Sequence, residues 1–131
     1  MLISPDLKIF IAGHTGMVGS AIKRNLIKKG YRKLLCPNRK DLDLLNYQQV
    51  NNWFKNNQPD VVILAAAKVG GIYSNNKFKA EFIYSNLSIQ NNIIHAAYKC
   101  NIKNLIFLGS SCVYPKLCKQ PIKEEYLLSG V

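Results

Sequence analysis

Three groups of residues have types and spacings that could do chemistry. Gly13, Gly16 and Gly19 recur in Gly13-His14-Thr15-Gly16-Met17-Val18-Gly19, directly after the apolar run Leu7 to Ala12. In such a pattern the first glycine permits a tight turn after a strand. The second lets a pyrophosphate approach the backbone, and the third lets the following helix close on the strand. Free N–H groups at the helix start then face the phosphates, where the helix dipole favours an anion. A purely structural turn would use the same residues, but a strand before and a helix after make dinucleotide binding the stronger reading. The second group is Cys36-Pro37-Asn38-Arg39-Lys40, at the end of the next candidate strand. An NAD-binding protein normally offers an Asp or Glu to the adenine ribose there. No acid and two cations favour the 2′-phosphate of NADP, with Arg39 suited to bidentate contact; the alternative is a pair of solvated loop charges. The third group is Gly109-Ser110-Ser111-Cys112. A hydroxyl there could hydrogen-bond a substrate carbonyl, and a thiol of suitable pKa could exchange protons. Alone, such a loop is more often structural; its place after a strand, together with the glycine turn, favours a working Ser110.

The elements that must position these groups are legible in the hydrophobic pattern. Leu7–Ala12 reads as a buried strand. Val18, Ala21, Ile22 and Leu26 keep helical spacing, with Ser20, Lys23, Arg24 and Lys28 opposite, and Gly30 ends that helix. Leu34-Leu35-Cys36 is a second strand, interrupted by Pro37. Tyr47, Val50, Trp53 and Phe54 mark an amphipathic helix broken at Pro59-Asp60. Val61-Val62-Ile63-Leu64 does not alternate and is expected to be buried on both faces. A loop, Lys68-Val69-Gly70-Gly71, leads to a long helix from about Lys79 to Cys100, and Leu105–Leu108 is a fourth strand before a polar tail. The long helix carries two apolar stripes, Phe82, Ile89, Ile93, Ala96, Ala97 and Cys100, then Ile83, Leu87, Ile94 and Tyr98. Two stripes imply packing on the sheet and on something else, either a second subunit in a homodimer or further parts of the same polypeptide. Strand–helix alternation at this spacing predicts an α/β fold, a Rossmann-type parallel sheet with flanking helices, truncated after about the fourth strand.

Length and composition set outer bounds. The chain has 131 residues, 48% hydrophobic and 19% charged, with a formal net charge of +11. That describes one globular domain and excludes a disordered chain, a collagenous one or a disulfide mini-protein. The longest strictly apolar stretch, Val61–Ala67, is too short to cross a bilayer. Met1-Leu2-Ile3-Ser4-Pro5-Asp6 lacks the basic and apolar regions of a signal peptide, so a cytoplasmic location is expected. Cys36, Cys100, Cys112 and Cys118 are then expected to be reduced thiols. With no CxxC pair, and with His14 and His95 far apart, no metal site is expected. Fifteen of the 18 cations are Lys, scattered from end to end rather than gathered in a strip with aromatic residues. An anionic small ligand suits that pattern better than nucleic acid.

Longer stretches carry a resemblance. Ala12-Gly-His-Thr-Gly-Met-Val-Gly-Ser-Ala-Ile22, Leu64-Ala-Ala-Ala-Lys-Val-Gly-Gly-Ile72, Asn91-Asn-Ile-Ile-His-Ala-Ala97 and Phe107-Leu-Gly-Ser-Ser-Cys-Val-Tyr-Pro-Lys116 resemble the GDP-L-fucose synthase family of extended short-chain dehydrogenase/reductases. The resemblance runs from Lys8 to about Gly130. It implies NADPH as cofactor and a nucleotide sugar, GDP-4-keto-6-deoxy-D-mannose, epimerised at C3 and C5 and then reduced at C4. It implies further that Ser110 holds the substrate carbonyl and Cys112 is an acid/base for epimerisation. The turn Gly13, His14, Thr15, Gly16, Met17, Val18 and Gly19 would hold the cofactor. Arg39, Lys40, Asp41, Leu42, Asp43 and Leu44 would cover its adenosine end, while Ala66, Lys68, Asn86, Leu108 and Gly109 would border the rest. For Asn86 the alternative is a satisfied polar residue on a packed helix, and for Lys68 an exposed loop lysine.

Two departures qualify the resemblance. Thr15 stands where the family commonly carries an arginine, so NADP selectivity rests more on Arg39. The family's Tyr-x-x-x-Lys proton donor is expected beyond Val131, as is the substrate domain; Tyr114 and Tyr126 have no lysine four residues later. Residues 1–131 are therefore expected to form the N-terminal, incomplete NADP-binding domain of such an enzyme, inactive alone. The alternatives are a non-catalytic dinucleotide-binding module, half of a split enzyme or, least favoured, a basic nucleic-acid binder.

Overall fold

A computed structural model describes residues 4–131; the reading of Met1 to Ile3 lies outside the described residues. The elements run β1 (Ile9–Ala12), α1 (Met17–Lys28), β2 (Leu34–Leu35), α2 (Tyr47–Asn57), β3 (Val61–Leu64), α3 (Ile72–Lys77), α4 (Lys79–Lys99) and β4 (Asn104–Phe107). Two short 3₁₀ turns follow, Ser111–Val113 and Glu124–Tyr126. The four strands form one parallel sheet in the order β2-β1-β3-β4. The expected Rossmann-type α/β architecture is the one observed.

All four residues of β1 are buried, because helices cover the sheet on both faces. Ile9 and Ile11 point to one face, where they join Ile63 and pack against Ile22 and Leu26 of α1. Phe10 and Ala12 point to the other, joining Val62 and Leu64 against Val50 and Phe54 of α2 and Ile93, Ala96 and Ala97 of α4. Aromatic rings knit this larger core: Phe10 lies 4.5 Å from Trp53 and 5.5 Å edge-on from Phe54, centroid to centroid.

Local chemistry sets the helix ends. The α1 helix closes at Gly30, where Gly30 N–H donates to Ile27 and Tyr31 N–H to the Leu26 carbonyl. The Asn46 carboxamide caps α2 by accepting from Gln49 N–H at 3.0 Å.

Several expectations are corrected in detail. β1 begins at Ile9 rather than Leu7, whose side chain instead packs half-buried beneath the smaller cluster. β2 ends at Leu35, and β4 is shifted one residue toward the N-terminus of the expected span. On α1, Ile22 and Leu26 reach the core, whereas Val18 and Ala21 are exposed. The short helix α3 has no counterpart among the expected elements. The first stripe of α4 faces the sheet; the second lies outward, with Ile83 61% and Tyr98 78% exposed.

Among the described residues one polar group is out of place in this core: Asn51 is buried on α2, and its Oδ1 has no hydrogen-bond partner there. An unsatisfied buried carbonyl costs about 1–3 kcal/mol. Asn51→Leu is therefore expected to raise the urea midpoint, while Phe54→Ala on the same helix lowers stability by about 3–5 kcal/mol. Equilibrium denaturation of the two variants checks both signs.

Candidate functional site

Four parallel strands place four loops at one edge of the sheet. β1 and β2 are joined through α1 on one face, while α2 and α4 lie on the other, so the connections diverge between β1 and β3. Open α/β sheets bind ligands in the crevice at this kind of switch point. The loops are tied to each other there: Ala65 N–H donates to Ala12 O at 3.0 Å, and Leu108 N–H to Leu64 O at 3.2 Å.

The three glycines have three different environments. Gly13 has φ +83°, and a Cβ on it would stand 2.6 Å from the Ala65 carbonyl oxygen and 2.8 Å from Ala66 Cα. Gly19 is buried, and a Cβ there would collide with the Gly13 carbonyl. Both are required by the packing of α1 and β3 around the turn. Gly16 is exposed, has φ −73°, and a Cβ there would meet only Gly13 O at 3.4 Å. Internal geometry does not demand a glycine at 16, so what its missing side chain leaves open is the approach to the start of α1. That first turn carries no acidic residue and no side-chain cap, and Met17 is 87% exposed. The fit to a pyrophosphate is good: an open cradle at a helix N-terminus with its donors unclaimed.

After β2 the chain folds into a tight turn. Asp41 N–H and Leu42 N–H both donate to the Asn38 carbonyl, at 3.0 and 2.9 Å. The Asp41 carboxylate accepts from Asn38 N–H at 3.3 Å, inside the turn. Arg39 and Lys40 sit exposed at its tip, with no carboxylate within 4.0 Å among the described residues. Asp43 accepts from Leu45 N–H at 3.1 Å, and its own N–H donates to Gln49 at 3.1 Å. Leu42 is in the core, and Leu44 packs half-buried against it.

Beyond β3, Ala66 packs against the core and the chain turns outward. Asn86 holds this loop with both ends of its carboxamide: Oδ1 accepts from Lys68 N–H at 2.7 Å, and Nδ2 donates to Lys68 O at 3.1 Å. The Lys68 ammonium lies over the Phe82 ring, 5.2 Å from its centroid. Asn75 repeats the device one turn on, donating to the Gly70 and Gly71 carbonyls at 2.8 and 3.1 Å. Neither clamp shows in the sequence, because both depend on how a loop returns to a helix.

After β4, Leu108, Gly109 and Ser110 are exposed. Ser110 Oγ accepts from Cys112 N–H at 3.2 Å, which fixes its lone pair and leaves its O–H free to donate. Cys112 is exposed, while Cys36, Cys100 and Cys118 are half-buried, all four as free thiols. Tyr73 and Lys77, on α3, also stand at Tyr-x-x-x-Lys spacing. The Lys77 ammonium lies 5.8 Å from the Tyr73 ring centroid, over its face, and Tyr73 is 74% exposed.

Two titratable groups at the crevice are shifted. Burial lowers the His14 pKa, and the positive charge of Lys23 lowers it further. Burial raises that of the Cys36 thiol, with Lys23 opposing. His14 is therefore a neutral imidazole at pH 7, and the glycine turn itself contributes no cation.

Topology, glycine turn and loop placement together define a Rossmann-type α/β domain of the dinucleotide-binding kind. Residues 9–131 match the NAD dependent epimerase/dehydratase family, and the chain belongs to it. It is 53% identical over 123 residues to the GDP-L-fucose synthase of Escherichia coli K12, covering 94% of this chain and 38% of that protein. It is 52% identical to GDP-L-fucose synthase 1 of Arabidopsis thaliana, with the same coverage. Among solved structures, a GDP-mannoheptose C4 reductase from Campylobacter jejuni with NADP bound matches with a TM-score of 0.91 and 44% identity. That match covers 98% of this chain and 40% of the other. A GDP-L-fucose synthetase from Naegleria fowleri bound to NADP matches at 0.82 and 32% identity, over 98% of this chain and 38% of that one. The chain thus spans about two-fifths of the length of the relatives it matches.

The differing glycine environments predict separable effects. Gly19→Ala is expected to lower the melting temperature sharply, since helix and turn must part. Gly16→Ala is expected to melt within a few degrees of the parent yet lose about tenfold or more in NADPH affinity, read by calorimetric titration.

Proposed function

We propose that this chain is the cofactor-binding part of an NADPH-dependent enzyme of the GDP-L-fucose synthase type, which epimerises GDP-4-keto-6-deoxy-D-mannose at C3 and C5 and reduces it at C4. The observation that carries the proposal is the cradle at Gly16, open where no internal packing requires it. The 53% identity to a GDP-L-fucose synthase supports the choice of substrate.

Bound NADPH supplies the hydride delivered to C4. The N–H groups at the start of α1 hold the pyrophosphate, and Arg39 and Lys40 hold the 2′-phosphate. Asn86 fixes the Lys68 backbone, so that Ala66 and Lys68 form a firm wall beside the nicotinamide half. Leu108 and Gly109 form the opposite wall. Ser110 donates its free O–H to the C4 carbonyl oxygen of the sugar. That polarisation acidifies the protons on C3 and C5, the two carbons flanking the carbonyl; Cys112 serves as one acid/base there, and inversion needs a second group that exchanges the proton on the opposite face of each carbon. Reduction makes an alkoxide at C4, which needs an acid. Ser110 stabilises the charge but does not discharge it, and Tyr73 is solvated with its lysine over the ring rather than at the hydroxyl.

A second reading is favoured by the exposed side of β4: the domain binds the dinucleotide, and a further polypeptide segment completes the site. Ile106 and Phe107 are 52% and 48% exposed, unlike any residue of β1.

Titration calorimetry on the 131-residue chain is expected to show one NADPH bound per chain, and incubation with GDP-4-keto-6-deoxymannose no NADPH oxidation. Turnover that vanishes in Tyr73→Phe would overturn the second expectation and assign the acid to Tyr73. Failure to bind NADPH or NADH would remove the proposed function itself.

A further inference from the structure

The α1 helix flanks both the glycine turn and the end of β2. Gly19 and Lys23 lie one turn apart on the same side of that helix. Gly19 is pressed against the Gly13 turn, so Lys23 follows directly behind it, half-buried. The β1–β2 register pairs Ile9 with Leu34 and Phe10 with Leu35, which places Cys36 beside Ile11. Cys36 packs into the cluster that Ile22 and Leu26 of α1 cover. Lys23 thus stands between the glycine turn and the end of β2, and its charge is felt by a group on each side, His14 and Cys36.

Several other lysines are engaged elsewhere. Lys8 donates to Asn57 O, Lys33 pairs with Asp6, Lys99 donates to the Tyr47 hydroxyl, and Lys68 and Lys77 cover aromatic rings. Among the described residues, Lys23 has no hydrogen-bond or carboxylate partner, although it is half-buried. An unpaired ammonium on a half-buried stem beside a ligand crevice is a site for an anion. His14 and Thr15 supply no charge there, and Arg39 and Lys40 approach only from the β2 side.

We propose that Lys23 is a specificity-determining residue that grips the 2′-phosphate of the adenine ribose from the α1 side, opposite Arg39. This rests on the NADP reading of the same crevice. Nothing in the pyrophosphate cradle distinguishes NADPH from NADH, because both carry the pyrophosphate. Discrimination falls to cations placed around the ribose, and Lys23 makes the grip two-sided.

The test uses the whole chain and two probes that differ only in the phosphate, 2′,5′-ADP and 5′-AMP, titrated calorimetrically. Lys23→Met is expected to weaken 2′,5′-ADP about tenfold and leave 5′-AMP within about twofold, as befits one charge-assisted contact. Lys23→Arg is expected to restore most of the preference, and Lys28→Met, at the far end of α1, to change neither ligand. Equal losses for both probes, or no loss for either, would overturn the role of Lys23. A parent chain that binds 2′,5′-ADP no better than 5′-AMP would overturn the NADP reading first, and Lys23 with it. A melting curve for Lys23→Met that matches the parent keeps a folding defect out of the comparison.

Discussion

The contact between the Gly13 turn, the Ala65–Ala66 backbone and Gly19 is the constraint on which the rest of this structure depends. Backbone meets backbone there at distances that leave no room for a Cβ. The approach sets how near α1 comes to β1, and so whether Ile22 and Leu26 reach Ile9, Ile11 and Ile63. It also sets where the unclaimed donors at the start of α1 point. Core and cradle are consequences of one close approach, which is why two of the three glycines in the motif serve packing and only Gly16 serves access.

The sheet is unevenly covered. β1 is sealed on both faces, whereas Asn104, Ile106 and Phe107 of β4 are exposed, as is the outer stripe of α4 with Ile83, Leu87, Ile94 and Tyr98. A parallel strand is ordinarily covered on both faces, and an exposed apolar edge invites association. The well-covered half carries the glycine turn; the uncovered half carries Ser110 and Cys112. The glycine turn therefore sits where the sheet is covered on both faces, and Leu108 to Cys112 follow the strand that is least covered.

How far the sequence foretold this follows from the range of the interactions involved. The strands and long helices were legible because burial on two faces makes uninterrupted apolar runs and burial on one makes a helical stripe, as in Val61–Leu64 and Tyr47–Phe54. The roles of the first and third glycines, a tight turn and a close helix–strand approach, were legible from chain order alone. The helix α3 was not, since Ile72–Lys77 buries nothing and rests on Asn75 bonding back to Gly70 and Gly71. Asn86 is typical of the rest: its two bonds reach 18 residues back to Lys68, and no local pattern announces them. Leu42 and Leu44 were placed near the adenosine by resemblance, but whether their side chains face ligand or core depends on a turn capped by Asp41.

The net charge of +11 is a weaker guide than its magnitude implies. Charges on all sides raise the local concentration of any anion, and a Debye length of about 8 Å at physiological salt confines each to its own neighbourhood. NADH and NADPH both gain from that field. Only cations in contact range of the extra phosphate separate them, and few qualify, because most lysines lie on other faces or are engaged with rings, carbonyls or carboxylates. Arg39, Lys40 and Lys23 remain, two on a loop tip and one on a helix anchored by the core. A loop cation loses rotational freedom on binding, whereas a half-buried one is already partly ordered. Of the three, Lys23 therefore gives up the least entropy for its contact, and the discrimination it adds is tied to the same glycine packing that holds α1 in place.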